Sequence, residues 1–359
     1  MTWSRVYLAA VSCDLVEDPR LRRLMRANRP RISFEREDTR ASASDKVDAS
    51  GFVPLEHVPE VVWKKSMTAV FPAGRGGREQ PTHFANLDEP GANGQTLFDR
   101  LNAPVDITVT AFQDYYDKLG HEQSSERGLL PFRIWQVYDK MVEAASDRRV
   151  SEFVCAAGIL AHYVGDACQV LHGSYLFDGD PARKQQRIVR NRDGTEKPVL
   201  ERFGKGVHSD YEDRMIDERV DTLMGGVDAA IGGQHAMPLV RGGQDAAFAI
   251  LELMRRTRHR IDPIALIEAY AAPLKGEGNA PEVLWNEFGT VTRDAIVDGC
   301  QVLAVLWESA WHEGSRRVID DDLLGAVPVS ELVALYSDQL FVPSLPLDEV
   351  GRVLRLGVI

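Results

Sequence analysis

The chain has 359 residues, 44% of them apolar and 27% charged, with a formal net charge of −12. That length can bury one large core or two smaller ones, and the composition is that of an ordinary globular protein. The acidic balance excludes a protein whose whole surface binds polyanions, although it leaves room for a local basic patch. No apolar run approaches the roughly 18 residues of a membrane span.

In chain order, "VYLAAVSC" (6–13) follows Arg5 and faintly resembles an export signal ending in a lipid-attachment cysteine. It is short for such a signal, and Ala10 is not the usual residue three places before that cysteine. It reads instead as a first helix, "WSRVYLAAVSCDLV", stopped by Asp18–Pro19. Residues 26–52 are polar and read as a loop or linker, and "PAGRGGREQP" (72–81) as a Gly/Pro-rich connection. Brief period-two alternation in "PVDITVTAF" (104–112) is the one strand signal before the middle of the chain.

Helical periodicity dominates from there. "LLPFRIWQVYDKMVEAASD" (129–147) has Pro131 near its start and apolar residues at Ile134, Val137, Tyr138, Met141 and Val142. Further helices are read over 151–172, 210–224, 245–261 and 292–314. "NRDG" (191–194) is a turn or hairpin signal within 173–207. The last segment, 316–359, has two short apolar pieces around "VPSLP" that pack on the rest. Four cysteines show no metal-binding spacing, and Cys155 and Cys168 read as core thiols. The reading is an all-α, multi-helix bundle with a polar insertion.

"LAHYVGDACQVLHGSY" (160–175) is apolar enough for a core helix, yet it carries His162, Asp166 and His172. On a helix His162 and Asp166 share a face, while His172 lies about 80° off it if the helix runs straight. "HSDYE" places His208 and Glu212 at the same i,i+4 spacing. Nitrogen with carboxylate oxygen is a ligand set that suits zinc. A single such pair is more often a structural ion pair. Several in apolar surroundings call for a common partner, because unpaired buried polar groups are costly.

At these residues the sequence resembles the zinc-dependent phospholipase C and single-strand-specific zinc nuclease family. "HYVGDACQVLH" and "HSDYE" match its metal motifs, with Val170 in place of a proline. "GLLPF" (128–132), "PTHFANLDEP" (81–90) and "LAVLWESAW" (303–311) resemble further family elements, so the resemblance spans residues 55–315. It implies a helical phosphoesterase domain over 55–315 with an insertion at 173–207. Residues 1–54 form an atypical N-terminal helix and linker, and 316–359 a C-terminal extension.

Carried over by position, His83, His162 and Asp166 would bind a first zinc, and His172, His208 and Glu212 a second. Glu60 in "HVPEVVW" stands where the family has an upstream aspartate ligand, with His57 or Asp48 as substitutes. The family's third zinc uses an N-terminal tryptophan and a histidine. Trp3 is present, but no histidine precedes His57, so two zinc ions are expected. Asp88 is a candidate for supporting the ligands from behind. His121, His235, His259 and His312 read as solvated or capping.

The activity so implied is hydrolysis of a phosphodiester, either phospholipid or single-stranded nucleic acid, with Asp166 and Glu60 as the catalytic carboxylates. Two alternatives are a degenerate family member, zinc-stabilised and binding without turnover, and an unrelated helical protein with structural His–carboxylate pairs. Residues 183–205 hold eight Lys/Arg against three Asp/Glu, so Arg187, Arg190 and Arg192 would draw a polyanion toward the metals. The family is usually exported. With no convincing export signal, this chain as written is expected in the cytoplasm.

Overall fold

The structure, a computed structural model, describes residues 8–33, 52–64, 75–190, 194–232, 237–272, 279–315 and 319–354. The architecture is all-α with one two-stranded ribbon. Its centre is helix α5 (Val150–Cys168), which is buried at every position from Phe153 to Cys168. A helix apolar on all sides must be surrounded. Around it pack α2 (Pro19–Ile32), α4 (Leu130–Ser146), α7 (Gly242–Arg260), α9 (Ala280–Gly314) and α10 (Val329–Ser337). The buried Trp307 indole N–H donates to Ala157 O at 3.0 Å, tying α9 to α5. All four cysteines are buried free thiols.

The N-terminal region departs from expectation. Helix α1 (Leu8–Leu15) forms, but Asp18–Pro19 does more than stop it. Asp18 Oδ1 accepts from Arg20 N and Leu21 N, and Pro19 occupies the first turn, so the pair opens α2. That helix runs to Ile32, so 26–32 is not linker; its arginines hide a buried stripe at Leu21, Leu24, Met25, Asn28 and Ile32. Residues 104–112 are not a strand either. Pro104–Asp106 is a helical turn, and Thr108 caps α3 (Val109–Leu119), whose Phe112, Tyr115 and Tyr116 are buried. The alternation was too short to separate the two periods.

The ribbon consists of β1 (Asp180–Arg190) and β2 (Glu196–Phe203), antiparallel, with Gln186 opposite Leu200 and Ile188 opposite Pro198. Two further helices are α6 (Met215–Ile231) and α8 (Pro263–Ala271). Near the C-terminal end, Tyr336 accepts from the Trp63 indole at 2.9 Å through its carbonyl, so α10 packs on the segment that carries Glu60. Among the described residues, no helix is long and apolar enough to cross a membrane.

Candidate metal centre

Four chain segments converge on the C-terminal half of α5. His162 and Asp166 lie on one face of it, with His162 Nε2 and Asp166 Oδ2 3.4 Å apart. Beyond Cys168 the helix ends, because Gln169 turns extended and its side chain accepts from Leu171 N at 2.6 Å. His172 therefore sits on a separate helical turn, Val170–Gly173, and its direction is not the one a straight helix would impose. His83 closes a turn at Gln80–His83. Backbone bonds pin this turn to its neighbours: Ala85 N to His172 O at 2.8 Å, and Leu130 N to Phe84 O at 3.1 Å. Gly128 permits the second contact, since a Cβ there would lie 2.5 Å from Phe84 O and Ala85 Cα.

The first group is a tight triangle. His83 Nδ1 lies 2.9 Å from Asp166 Oδ2 and 3.0 Å from His162 Nε2. Tetrahedral zinc with bonds of about 2.0–2.1 Å separates its ligand atoms by roughly 3.3–3.4 Å; the third side, 3.4 Å, matches this, and the two edges to His83 are shorter, at 2.9 and 3.0 Å. His162 Nδ1 donates to Glu56 O at 2.8 Å, which turns the lone pair of Nε2 into the triangle. Gly158, one turn earlier, makes room: a Cβ there would meet Leu55 Cβ at 2.4 Å. Glu60, on the turn Pro59–Lys64, also groups with His83 and His162, with all ligand atoms within 4.8 Å.

The second group joins His172, His208 and Glu212. Glu212 Oε2 lies 3.3 Å from His172 Nε2 and 2.6 Å from His208 Nε2. His172 Nδ1 donates to His83 O at 2.7 Å, again turning the Nε2 lone pair toward a carboxylate. Asp166 Oδ1 lies 3.4 Å from His172 Nδ1. Asp166 thus serves the first group with one oxygen and braces a member of the second with the other. Lone pairs and carboxylates facing one another need protons or a cation between them. The buried His83 Nε2 and His208 Nδ1 have no hydrogen-bond partner among the described residues.

Burial, reinforced by the charge of Lys64, lowers the pKa of His83 to about 3. Burial lowers that of His162 to about 4. Both rings are neutral near pH 7, as metal ligation requires. In the unfolded chain they titrate near 6.5, so the unfolded state binds more protons as pH falls below that value. Metal-free protein is therefore expected to lose stability from about pH 6.5 downward, by up to about 1.4 kcal/mol per pH unit for each ring. His172 has the opposite sign. Burial alone would lower it, but Asp166 and Glu212 outweigh burial and raise it, so its contribution is lost only above pH 6.5. Urea midpoints of chelator-treated protein at about pH 6.5 and about pH 5 check this. Equal midpoints would show that the rings take up protons inside the fold.

Both groups open on one cleft, also lined by Lys64, Phe84 and Phe177. The other sequence candidates lie elsewhere. His57 is buried 3.5 Å from Glu56, and neither lines the cleft. Asp88 accepts from Ser174 Oγ at 2.8 Å and Tyr175 N at 3.0 Å, bracing the turn after His172 from behind. His121 pairs with Glu89 at 2.8 Å, His312 faces Glu308 at 3.6 Å, and His259 is exposed in the last turn of α7. Trp3, Asp48, Arg192 and His235 lie outside the described residues, as does the side chain of Arg190.

Two features escaped sequence reasoning. Lys64 Nζ lies 2.9 Å from Glu60 Oε2, a cation lining the same cleft. Glu79 is fully buried, 3.8 Å from His83 Nε2, and held by Arg133, Tyr163, Thr82 and Ser344. The i,i+4 spacings in "EVVWK" and "EQPTH" were signals for both.

No family model matches the chain, and no solved structure matches it. A curated protein of Bradyrhizobium tropiciagri, described as a probable serine protease, is 32% identical over 376 aligned residues. The match takes in 96% of this chain and 48% of that protein, so the chain spans about half the length of this relative. The finding overturns the expected phosphodiesterase, nuclease or phospholipase C activity, because it points to a protease. The physical reason for the miss is that His–carboxylate spacing specifies how a cation is held and leaves open which bond is broken beside it.

Proposed function

We propose that this chain is a zinc-binding helical unit of a hydrolase that acts on peptide bonds. The observation that carries the reading is the convergence of buried or half-buried histidines and carboxylates in two groups of ligand spacing, with Glu60, His83, Asp166, His172, His208 and Glu212 lining one cleft and His162 behind them. The donor set, imidazole nitrogen and carboxylate oxygen, favours zinc. The likeness of these motifs to the zinc phospholipase C and nuclease family supports the ligand assignment. The peptide bond is favoured by the relative described as a protease.

Bound there, zinc would supply water activation near neutral pH and polarisation of a carbonyl. The protein's own part is positioning. His83, His162 and Asp166 hold one ion, and His172, His208 and Glu212 the other. Glu60, beside Lys64, is placed to take up a proton at its carboxylate. Among the described residues, the serine hydroxyls that bond to side chains meet the carboxylates of Glu56, Glu331, Asp88 and Glu79, and none meets a histidine ring. The cleft is therefore a better candidate for the reacting centre than a serine of the described residues.

Purified protein is expected to hold about two zinc ions, one for each group. It should hydrolyse labelled casein and lose that activity on chelation. Glu60→Gln should slow hydrolysis while leaving most of the metal bound. Hydrolysis that survives chelation, together with labelling by a fluorophosphonate probe, would move the reaction to a serine and sink this reading.

A further inference from the structure

The β1–β2 ribbon leaves the body of the protein between the two halves of the second metal group, after His172 and before His208. Neither strand packs broadly on a helix. Within 184–188 and 197–202, neither outer edge makes a backbone hydrogen bond to another described element. A lone two-stranded ribbon is marginal in water, and an open edge is a template for another strand.

The two faces differ. On one, Glu201 lies opposite Gln185 and 3.7 Å from Arg187, so that arginine has a counter-ion. The other aligns Lys184 with Arg202, Gln186 with Leu200, and Ile188 with Pro198. Like charges directly opposite each other destabilise a ladder. Neither Lys184 nor Arg202 has an ion pair among the described residues, and both are exposed. Beside them Ile188 is 58% and Leu200 72% exposed. At the base of the ribbon Phe177 packs against His208 in a tilted ring contact, with centroids 4.5 Å apart, and lines the cleft.

We propose that this ribbon docks the polypeptide substrate: an extended segment of alternating acidic and apolar residues adds along its edge as a third strand and enters the cleft past Phe177. The idea rests on the peptide-hydrolase reading above. Main-chain bonds would supply affinity, and Lys184, Arg202, Ile188 and Leu200 the preference for acidic and apolar side chains. A lipid surface fits less well, because the exposed apolar residues lie midway along the strands while the connection, "NRDG", is polar. Nucleic acid fits less well, because this face offers no aromatic ring for stacking.

The test uses the whole chain, chelated so that nothing is cleaved, and a fluorescein-labelled peptide of alternating Glu and Val. Wild type should bind it, and Lys184→Glu/Arg202→Glu should weaken binding by at least about tenfold with unchanged circular dichroism. A Lys–Val peptide and an N-methylated Glu–Val peptide should bind as poorly as the variant binds Glu–Val. Equal affinity of wild type and variant, undiminished binding of the N-methylated peptide, or binding of phosphatidylserine vesicles in place of peptide overturns the proposal. The arms are separable. Ribbon-dependent binding without casein hydrolysis would sink the peptide-hydrolase reading alone, and casein hydrolysis without ribbon-dependent binding would sink the docking role alone.

Discussion

Asp166→Asn is expected to abolish stable metal binding and to lower hydrolysis by well over 100-fold. The substitution nearly preserves shape, so the effect isolates charge and donor chemistry. Oδ2 completes a triangle with His83 Nδ1 at 2.9 Å and His162 Nε2 at 3.4 Å, and Oδ1 lies 3.4 Å from His172 Nδ1. A carboxamide removes the anion that balances a dication, and one of its two ends then presents N–H donors to a ring nitrogen that should face metal. Groups that only support ligands from behind typically cost 10–100-fold, so a larger loss marks a direct ligand. Titration against a chromophoric chelator and initial rates on labelled casein check this. Activity above about a tenth of wild type would remove Asp166 from the ion's immediate surroundings.

Glu79 should separate stability from metal affinity. Its carboxylate receives Arg133 Nη2 at 3.1 and 3.3 Å, Thr82 Oγ1 at 2.9 Å, and the hydroxyls of Tyr163 and Ser344. Burial would raise its pKa, but Arg133, His83, Arg75 and the Ser344 hydroxyl together outweigh burial and lower it. Arg133 is itself buried, and also bonds Val342 O and Pro343 O at 3.0 Å. Glu79→Gln strands that guanidinium without its counter-ion and should cost about 3–5 kcal/mol. Glu79→Gln/Arg133→Met removes both charges and should recover most of that loss. Both variants remove the negative charge that lies 3.8 Å from His83 Nε2, behind the ring. Zinc affinity should therefore fall about 10–100-fold in each, even where stability is restored. Restored affinity in the double variant would show that Glu79 only holds the fold.

Helices α4, α5, α6, α7 and the second half of α9 were legible because each buries a stripe long enough for the 3.6-residue period to stand out; the nine-residue α8 and α10 are too short to show one, and α9 begins at Ala280, ahead of the expected 292. The two early misreadings share a cause. In 26–32 the arginines outnumber the buried positions, and in 104–112 a short alternation fits either period. The hairpin around "NRDG" was legible from its turn residues. Its exposed apolar face was not, because Ile188 and Leu200 look like core in sequence and lie on the outside.

By itself the sequence determined the helical class and two local pairs of the candidate site. Spacing of i,i+4 puts His162 beside Asp166 and His208 beside Glu212 whatever the rest of the chain does, because the helix dictates it. Only the tertiary structure decided which pairs meet. His83 reaches Asp166 across 83 residues through backbone bonds to the turns at 130 and 172, and Gly128 and Gly158 allow the close approaches that aim the rings. The full burial of Glu79 and its tie to the C-terminal end by Ser344 also came from packing. Local periodicity carries no information about contacts so distant along the chain, since those are set by how whole helices share one core.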